Sequence, residues 1–297
     1  MRAGTLGRRQ ANRIRQNGLV SDLLIHSVFV LTSVVMIYPF WHTIVGSFLK
    51  YEEYFRKTVY LWSSEPTLEA YRVVLRTGLI RSPMYNTMLI TAVGTIYSLF
   101  VTAFVAYGLS KKFPGKTLIM SLIVFTMFFR GGIIPDYVLY RHLGLLNNRL
   151  VFILPATINT FNLIVLKTSF GAFPVEMEEA ARIDGSNEFG VFFRMVLPLS
   201  IPMLVTIGLF FAVAYWNTFF PSLFFVTRPE LRTLQDYLYR IIKTQDAEDL
   251  GMYISRTVSM ESVRMANIVL VIAPIVLLYP VLQRYFVKGA MIGAVKG

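Results

Sequence analysis

The sequence predicts an all-α integral membrane protein with six transmembrane helices and a cytoplasmic helix–turn–helix loop. Two observations, one on composition and one on pattern, support this prediction. Of the 297 residues, 55% are hydrophobic and 15% are charged, whereas soluble domains carry about 25% charged residues. Apolar runs of about 20 residues recur along the chain without the strict alternation that is typical of membrane β-barrels. Because lipid offers no partner to a backbone polar group, each run is expected to be a helix.

Six apolar runs are long enough, or nearly so, to cross the hydrocarbon core of a bilayer. Prolines inside or near the ends of several runs are expected to act as kinks that neighbouring helices tolerate. The predicted spans cover 22–48, 84–109, 117–135, 150–168, 199–221 and 265–286. Together they form one transmembrane domain over 22–286, between an N-terminal tail at 1–21 and a C-terminal tail at 287–297.

Arginines before the first span set the predicted orientation. They are Arg2, Arg8, Arg9, Arg13 and Arg15. Positive residues stay in the cytoplasm, and the first span is too long for the apolar region of a signal peptide. Both termini are therefore expected in the cytoplasm, and the glycines of the C-terminal tail favour an extended conformation there. The loop at 174–198 is then cytoplasmic, and the polar loop at 222–264, which contains a short predicted helix, is external.

Several kinds of chemistry are excluded or disfavoured. The absence of cysteine excludes disulfides and cysteine nucleophiles, and the three histidines lack the spacing of a metal site. The "GKT" at Gly115–Thr117 is a basic loop at the membrane surface, because Ser110 stands where a phosphate-binding loop requires glycine. The net charge of +12 is spread over many loops, which fits anionic lipid or an acidic solute better than nucleic acid. Carboxylates are almost absent from the spans, which disfavours a proton-coupled carrier and indicates that another subunit supplies the energy.

The charged segment 174–198 predicts two short helices, and its first half has the features of a helix start. Pro174 suits the first helical position. Glu176, Glu178 and Glu179 follow, where negative charge complements the helix dipole.

A turn at Asp184 and Gly185 is expected to separate the two helices, since glycine can adopt the left-handed conformation. Ser186 is the expected cap of the second helix, and Pro198 is expected to end it. The apolar residues of the second helix recur at helical spacing and are Phe189, Phe192, Phe193 and Val196. On the residues alone, a surface helix that links two spans and a docking element for a soluble partner are equally open interpretations.

The same segment resembles the cytoplasmic loop signature of permeases of ATP-binding-cassette importers. It reads Glu179-Ala180-Ala181, Asp184-Gly185-Ser186 and Leu197-Pro198, with Ser186 and Met195 in place of the common Ala and Ile. The segments "RGGIIP", "FNLIVLKTSF" and "GAVKG" are similar to the carbohydrate branch and, within it, to importers of alginate and uronate oligosaccharides. The chain is similar to the second, shorter permease of the heterodimer in such importers.

The resemblance implies a subunit that catalyses no bond-making and forms half of the translocation pathway for a carbohydrate, expected to be an acidic oligosaccharide. The implied partners are a second permease, two ATPase subunits that hold ATP and Mg²⁺, an external solute-binding protein and membrane lipid. No cofactor is expected on this chain, and the implied location is the bacterial plasma (inner) membrane. The residues implied in coupling to the ATPases are Glu178, Glu179, Ala180, Ala181, Asp184, Gly185, Ser186, Leu197 and Pro198.

The sequence leaves open whether this subunit contacts the sugar. The candidates are Asn159, Asn162, Tyr215, Trp216 and Asn217. Aromatic faces stack on sugar rings and amides bind hydroxyls, but packing between helices explains the same residues equally well. The alternative function is a channel or secondary carrier without an ATPase partner. A membrane-embedded enzyme is disfavoured because no catalytic cluster is present.

Overall fold

A computed structural model of the chain describes residues 4–56, 60–129, 131–243 and 258–294, with the backbone alone for 4–20 and 278–294. Within these ranges the regular secondary structure is helical and includes no strand, as the sequence predicts. The chain divides into two compact units, residues 1–73 with 254–269 and residues 74–253 with 270–297. The candidate site lies within the second unit.

The helices of the described residues range from single turns to 43 residues. In chain order they are α1 (Gly4–Gly46), α2 (Tyr51–Arg56), α3 (Glu69–Thr77), α4 (Arg81–Ser110), α5 (Lys116–Phe128), α6 (Ile133–His142), α7 (Leu150–Ile153), α8 (Thr160–Phe170), α9 (Val175–Ile183), α10 (Glu188–Leu199), α11 (Ile201–Trp216), α12 (Phe220–Phe225), α13 (Leu234–Ile242) and α14 (Met260–Ala294). A single 3-10 turn at Pro229–Leu231 precedes α13.

In the first unit, α1 is the long apolar helix. Its segment Ser21–Gly46 is 26 residues long and apolar enough to cross a membrane, which makes it a candidate for the first predicted span. Large apolar side chains between Leu23 and Phe40 are exposed, as expected of a helix that faces lipid. The helix also extends into the predicted N-terminal tail, because the backbone is helical from Gly4 onwards.

Among the described residues, three helices are long and apolar enough to cross a membrane by themselves. They are Ser21–Gly46, Arg81–Ser110 and Met260–Leu277, and they correspond to the predicted spans 22–48, 84–109 and 265–286. Two bent pairs, α5 with α6 and α10 with α11, raise the number of candidate spans among the described residues to five. The described chain therefore shows three to five candidates where the sequence predicts six.

The prediction of one continuous helix at 117–135 is wrong. The chain forms α5 and α6 there, and the two axes are bent by 114°. Gly132 has a φ of 90°, a conformation that favours glycine, and Pro135 in the first turn of α6 lacks the N–H group that would continue the preceding helix. Apolar composition extends across this backbone break, and the sequence-based prediction followed the composition.

The predicted span at 150–168 forms two helices, α7 and α8, with a break between them that is larger than the expected proline kink. Pro155 lies in the break and removes a backbone donor. Asn159 then caps α8, since its side-chain oxygen accepts a hydrogen bond from the backbone N–H of Asn162 at 3.1 Å.

The last two predicted spans end at different residues in the structure. α11 ends at Trp216, before the predicted end at 221. The backbone of α14 is helical up to Ala294, so the C-terminal tail is helical to that residue and not extended as predicted. A glycine inside a helix costs only about 1 kcal/mol relative to alanine, which neighbouring helix-forming residues offset. Residues 295–297 lie outside the described residues.

The predicted external loop at 222–264 is largely helical where the structure describes it. α12 extends into its beginning, and α13 confirms the short helix predicted within it. Residues 244–257 of this loop lie outside the described residues.

The core of the second unit is built around α4, which packs against α8 and α11. The apolar side chains buried between these helices include Ile90, Leu163, Leu166, Ile207 and Phe211. Gly94 allows a close approach, because a Cβ at this position would lie 2.8 Å from the ring of Tyr215. The Tyr215 hydroxyl shares a hydrogen bond with the Ser98 hydroxyl at 2.7 Å and donates to the Ile153 carbonyl at 3.3 Å.

Alanine at position 94 is expected to destabilise the protein. The added Cβ would meet the Tyr215 ring, so the helices must separate or the ring must move, at a cost of about 1–3 kcal/mol. Gly108→Ala is the matched control, since a Cβ there meets nothing within 4 Å and alanine stabilises a helix interior by about 0.5–1 kcal/mol. Thermal unfolding in detergent should give a lower Tm for Gly94→Ala and an unchanged or higher Tm for Gly108→Ala. Equal shifts of both Tm values in one direction would contradict this packing.

Candidate functional site

The segment 174–199, named the hairpin, consists of α9, a turn and α10. Its first helix begins at Val175, so Pro174 is the N-cap and not the first helical residue that the sequence predicts. The ψ of 133° at Pro174 is extended, which excludes this residue from the helix. Glu176 and Glu178 lie in the first turn, where their charges complement the helix dipole.

Gly185 makes the turn of the hairpin, as the sequence predicts. Its φ of 84° is left-handed. The N–H of Gly185 donates to the Arg182 carbonyl and the N–H of Ser186 donates to the Ala181 carbonyl, both at 3.0 Å. This pair of bonds is typical of a Schellman motif at the end of a helix. A Cβ at Gly185 would meet nothing within 4 Å, so glycine is favoured by the backbone conformation and not by lack of space.

The cap of the second helix is not the predicted Ser186. Asn187 occupies the N-cap position, and its side-chain oxygen accepts a hydrogen bond from the N–H of Gly190 at 2.8 Å. The helix begins one residue later than predicted, which brings the amide oxygen of Asn187 into capping distance.

The prediction that Pro198 ends the second helix is also wrong. The helix continues to Leu199, and Ser200 separates it from α11. The preceding residues Phe192–Val196 form a π-helical turn. In this turn the N–H of Leu197 donates to the carbonyl of Phe192, five residues earlier. The helix thereby continues past Pro198, which has no N–H group to donate.

The predicted apolar stripe of the second helix is only half buried. Phe192 and Val196 are each 1% exposed in the core around α4. Phe189 and Phe193 are exposed, although the Phe189 ring stacks on Phe104 of α4 with 6.1 Å between ring centroids. Aromatic contacts therefore attach α10 to α4.

A group of polar side chains, named the clamp, attaches the hairpin to the C-terminal end of α4. Lys111 pairs with Glu178 of α9, and its Nζ lies 4.2 Å from the centroid of the Tyr107 ring. The Tyr107 hydroxyl donates to Glu188 at 3.0 Å, and Arg182 pairs with the same carboxylate at 2.6 Å. The clamp therefore connects both helices of the hairpin to α4.

The Lys111–Glu178 pair is the least exposed ion pair of the clamp. Its side chains are 26% and 14% exposed, against 46% and 55% for Arg182 and Glu188. A hydrogen bond to a charged group contributes about 1.5–3 kcal/mol, whereas an exposed ion pair contributes about 0–1 kcal/mol. The Lys111–Glu178 contact, which joins α9 to the end of α4, is therefore stronger than the Arg182–Glu188 pair, which lies within the hairpin.

The partners of Glu188, at the polar start of α10, keep its carboxyl ionised. Burial alone would raise the pKa of this carboxyl, but the hydrogen bond from Tyr107 and the charge of Arg182 outweigh burial. The pKa of Glu188 consequently lies below its usual value. The negative charge that accepts these hydrogen bonds persists at neutral pH.

The residues predicted to couple to the ATPases differ in their placement. Glu178 belongs to the clamp, and Ala181 and Leu197 pack against the core of the second unit. Ser186 is half-buried. The exposed residues are Glu179, Ala180, Asp184, Gly185 and Pro198. The hairpin therefore combines residues that attach it to α4 with exposed residues, two of them acidic.

Sequence reasoning missed the remaining members of the clamp, Tyr107, Lys111, Arg182 and Glu188. The sequence assigns Lys111 only to a basic loop at the membrane surface. Its contact with Glu178 joins residues 67 positions apart, which no local pattern indicates. The only sequence signal is a lysine at the end of one apolar run and a cluster of glutamates in the loop that is predicted to be cytoplasmic.

A cavity of about 790 Å³ lies among α6, α7, α8 and α11. Three of the predicted sugar-contacting residues, Asn159, Asn162 and Tyr215, line it. Its aromatic lining residues are Tyr140, Phe152, Phe161, Phe210, Phe211, Tyr215 and Phe225. Asp136 is the one charged residue in the lining among the described residues. In the described part of the chain, no group of three His, Asp or Glu side chains could hold a metal ion.

The other two predicted sugar-contacting residues do not line this cavity. Trp216 is buried. The Asn217 amide donates to the Val213 carbonyl at 2.9 Å and accepts a hydrogen bond from Gln235 at 3.3 Å. These contacts favour packing roles for both residues.

Residues 82–291, which contain the hairpin, the clamp and the cavity, match the family described as "Binding-protein-dependent transport system inner membrane component". The chain belongs to this family. Its members are transport components and not enzymes, so the chain is an integral membrane permease of a binding-protein-dependent transport system. The family resemblance predicted from the hairpin motif is thereby confirmed.

Two relatives from Bacillus subtilis (strain 168) extend over most of this permease. The polygalacturonan/rhamnogalacturonan transport system permease protein YtcP is 38% identical over 282 residues, which are 93% of this chain and 98% of that protein. Protein LplC is 40% identical over 266 residues, which are 89% of this chain and 90% of that protein.

A solved structure has the same fold as this permease. It is the crystal structure of a bacterial ABC transporter involved in the import of the acidic polysaccharide alginate. The match has a TM-score of 0.84 and 32% sequence identity, and it covers 92% of this chain and 97% of the other.

Reversing the charge of Lys111 is expected to loosen the hairpin. Lys111→Glu places a second carboxylate beside Glu178 and removes a charge-assisted hydrogen bond of about 1.5–3 kcal/mol. Because each 1.4 kcal/mol is about tenfold in an equilibrium, amide hydrogen exchange in α9 should accelerate roughly tenfold or more.

Two variants control this experiment. The reciprocal pair Lys111→Glu with Glu178→Lys should restore slow exchange, and Lys112→Glu, at the exposed neighbour, should leave exchange unchanged. Exchange in Lys111→Glu that matches the wild type would show that the clamp does not hold the hairpin.

Proposed function

We propose that this permease is one of two permease subunits in an ATP-driven importer and forms half of the pathway for an oligosaccharide. The observation that supports this most directly is the hairpin, an element with exposed acidic residues that the clamp attaches to α4. The proposed partners of the permease are a second permease, two ATPase subunits that hold ATP and Mg²⁺, and an external solute-binding protein. The complex lies in the bacterial plasma membrane.

In this proposal the hairpin couples ATP hydrolysis to movement of the membrane helices. Glu179 and Asp184 are exposed on the hairpin, where basic side chains of an ATPase subunit can pair with them. Closure of the ATPase pair displaces the hairpin, and the clamp passes the displacement to α4.

We further infer six membrane crossings with both termini in the cytoplasm. Counting each bent pair gives five candidates; in the pair of α10 and α11, we assign the crossing to α11 and place α10 at the cytoplasmic surface. The broken pair of α7 and α8 supplies the sixth crossing. Broken helices are tolerated in membranes where they line a cavity, and residues of both helices line the 790 Å³ cavity. The N-terminal arginines support this orientation, in which the hairpin faces the cytoplasm and the segment from α12 to α13 faces the solute-binding protein.

The proposed cargo is an acidic oligosaccharide. Support comes from YtcP, whose name states polygalacturonan and rhamnogalacturonan transport, and from the solved alginate transporter. The cavity of this chain offers aromatic faces and the amides of Asn159 and Asn162, which suit sugar rings and hydroxyls. Because Asp136 is the charged residue in its described lining, we assign compensation of the uronate charge to groups outside this cavity.

The alternative function, a channel or secondary carrier without an ATPase, leaves the exposed and attached hairpin without a partner. Co-purification of the native complex distinguishes this alternative from the ATP-driven importer. A stable complex that lacks any ATPase subunit would favour the alternative.

Gly185→Val is expected to abolish transport while expression and membrane insertion stay near normal. The left-handed backbone at this position costs a β-branched residue about 1–2 kcal/mol, so the angle between the hairpin helices should change. Gly185→Asn is the matched control, because asparagine tolerates this conformation. Glu179→Lys should weaken ATPase association to a lesser degree, and an acidic substitution on the ATPase should partly restore it. Normal transport by Gly185→Val with the ATPase bound would reduce the hairpin to a linker.

The cargo is tested by ATPase activity of the complex with its solute-binding protein. Oligomers of galacturonate or alginate should stimulate hydrolysis, and neutral maltodextrins of equal length should not. Stimulation by the neutral oligomers alone would contradict the acidic cargo.

A further inference from the structure

The N-terminal end of α4 is attached to the segment 228–236 by buried hydrogen bonds. Asn86 is fully buried, and its amide nitrogen donates to the Glu230 carbonyl and, at 3.4 Å, to the Arg232 carbonyl. Its amide oxygen accepts a hydrogen bond from Arg149 Nε at 2.8 Å. One side chain of α4 thus joins two other parts of the second unit.

The neighbouring residue Thr87 makes a second attachment. Its hydroxyl oxygen accepts a hydrogen bond from the backbone N–H of Leu234 at 2.8 Å, and both residues are 0% exposed. Leu234 is the first residue of α13, whose N-cap side chain makes no capping bond. A side chain of α4 therefore satisfies an N–H group that a helix start leaves unpaired.

The beginning of α13 is held by further buried contacts. Asp236 is 0% exposed, accepts a hydrogen bond from the Ser222 hydroxyl at 3.0 Å and pairs with Arg240 Nε at 3.0 Å. The N–H of Thr233 donates to the same Ser222 hydroxyl at 3.1 Å. A buried carboxylate with these partners fixes the beginning of α13 against α12.

α4 is consequently attached at both ends, to the segment 228–236 at one end and to the hairpin through the clamp at the other. It is a continuous helix of 30 residues, which corresponds to a length of about 45 Å. Its proline, Pro83, lies in the first turn, where it removes no hydrogen bond within the helix.

We propose that α4 is a rigid connection that transmits movement of the hairpin to the segment 228–242, with Asn86 and Thr87 as the positioning residues at the far end. The inference rests on the proposed function, because nucleotide-driven movement of the hairpin is its input. In the proposed orientation the segment 228–242 faces the solute-binding protein. The nucleotide state would thereby control how that protein is held on the outer surface.

The test compares Thr87→Val, which keeps the shape and removes the acceptor, with Thr87→Ser, which keeps the acceptor. The whole complex, purified with its own ATPase subunits, is measured by hydrogen exchange with and without Mg²⁺ and a non-hydrolysable ATP analogue. In the wild type the nucleotide should change exchange in the hairpin, at 175–191, and in α13, at 237–242. In Thr87→Val the response at 237–242 should fall roughly fivefold or more, while the hairpin response stays. Thr87→Ser should retain both responses.

Three other results would contradict the inference or the proposed function. A full response at 237–242 in Thr87→Val overturns the inference, because the segment then follows the nucleotide without this attachment. An equal loss in Thr87→Val and Thr87→Ser also overturns it, since the lost methyl or local packing is then responsible. A wild-type hairpin that does not respond to the nucleotide contradicts the proposed function itself, whatever the Thr87 variants show.

Discussion

The ion pair between Lys111 and Glu178 fixes the hairpin to α4, and the proposed coupling depends on that attachment. Hydrophobic burial alone does not hold α9, because Val175, Met177 and Ile183 are exposed and only Ala181 of this helix packs against the described core. The contact between Lys111 and Glu178 therefore decides whether α9 moves with α4 or rotates about the turn at Gly185. Its partial burial strengthens the attraction relative to an exposed pair.

The attachment has consequences beyond the hairpin because α4 is the helix around which the second unit is packed. Its Gly94 lies against the ring of Tyr215 on α11, and its apolar side chains are buried against α8 and α11. Asn162 of α8 and Phe211 of α11 line the cavity. A displacement of the hairpin that moves α4 must therefore repack the helices that shape the proposed pathway, since packed helices have discrete arrangements.

Local signals in the sequence predicted the features that depend on neighbouring residues. The apolar run of α4 and the left-handed turn at Gly185 are of this kind. Hydropathy missed the break at Gly132 and the extent of the break at Pro155, because it measures composition and not backbone continuity. The sequence alone does not decide between Ser186 and Asn187 as the N-cap, because the choice depends on the residue at which the helix begins. The clamp and the attachment of Thr87 to a residue 147 positions away were beyond prediction, because nothing local indicates such contacts.

The central claim is that the hairpin and α4 move as one body. This chain contains no cysteine, so spin labels can be placed at the exposed position 177 of the hairpin, which belongs neither to the clamp nor to the proposed ATPase contacts, and at the exposed position 85 near the start of α4. The distance between the labels is then measured in the complex with and without Mg²⁺ and a non-hydrolysable ATP analogue. The account predicts one narrow distance distribution that the nucleotide leaves unchanged and that Lys111→Glu broadens. A nucleotide-dependent change of this distance in the wild type would contradict it.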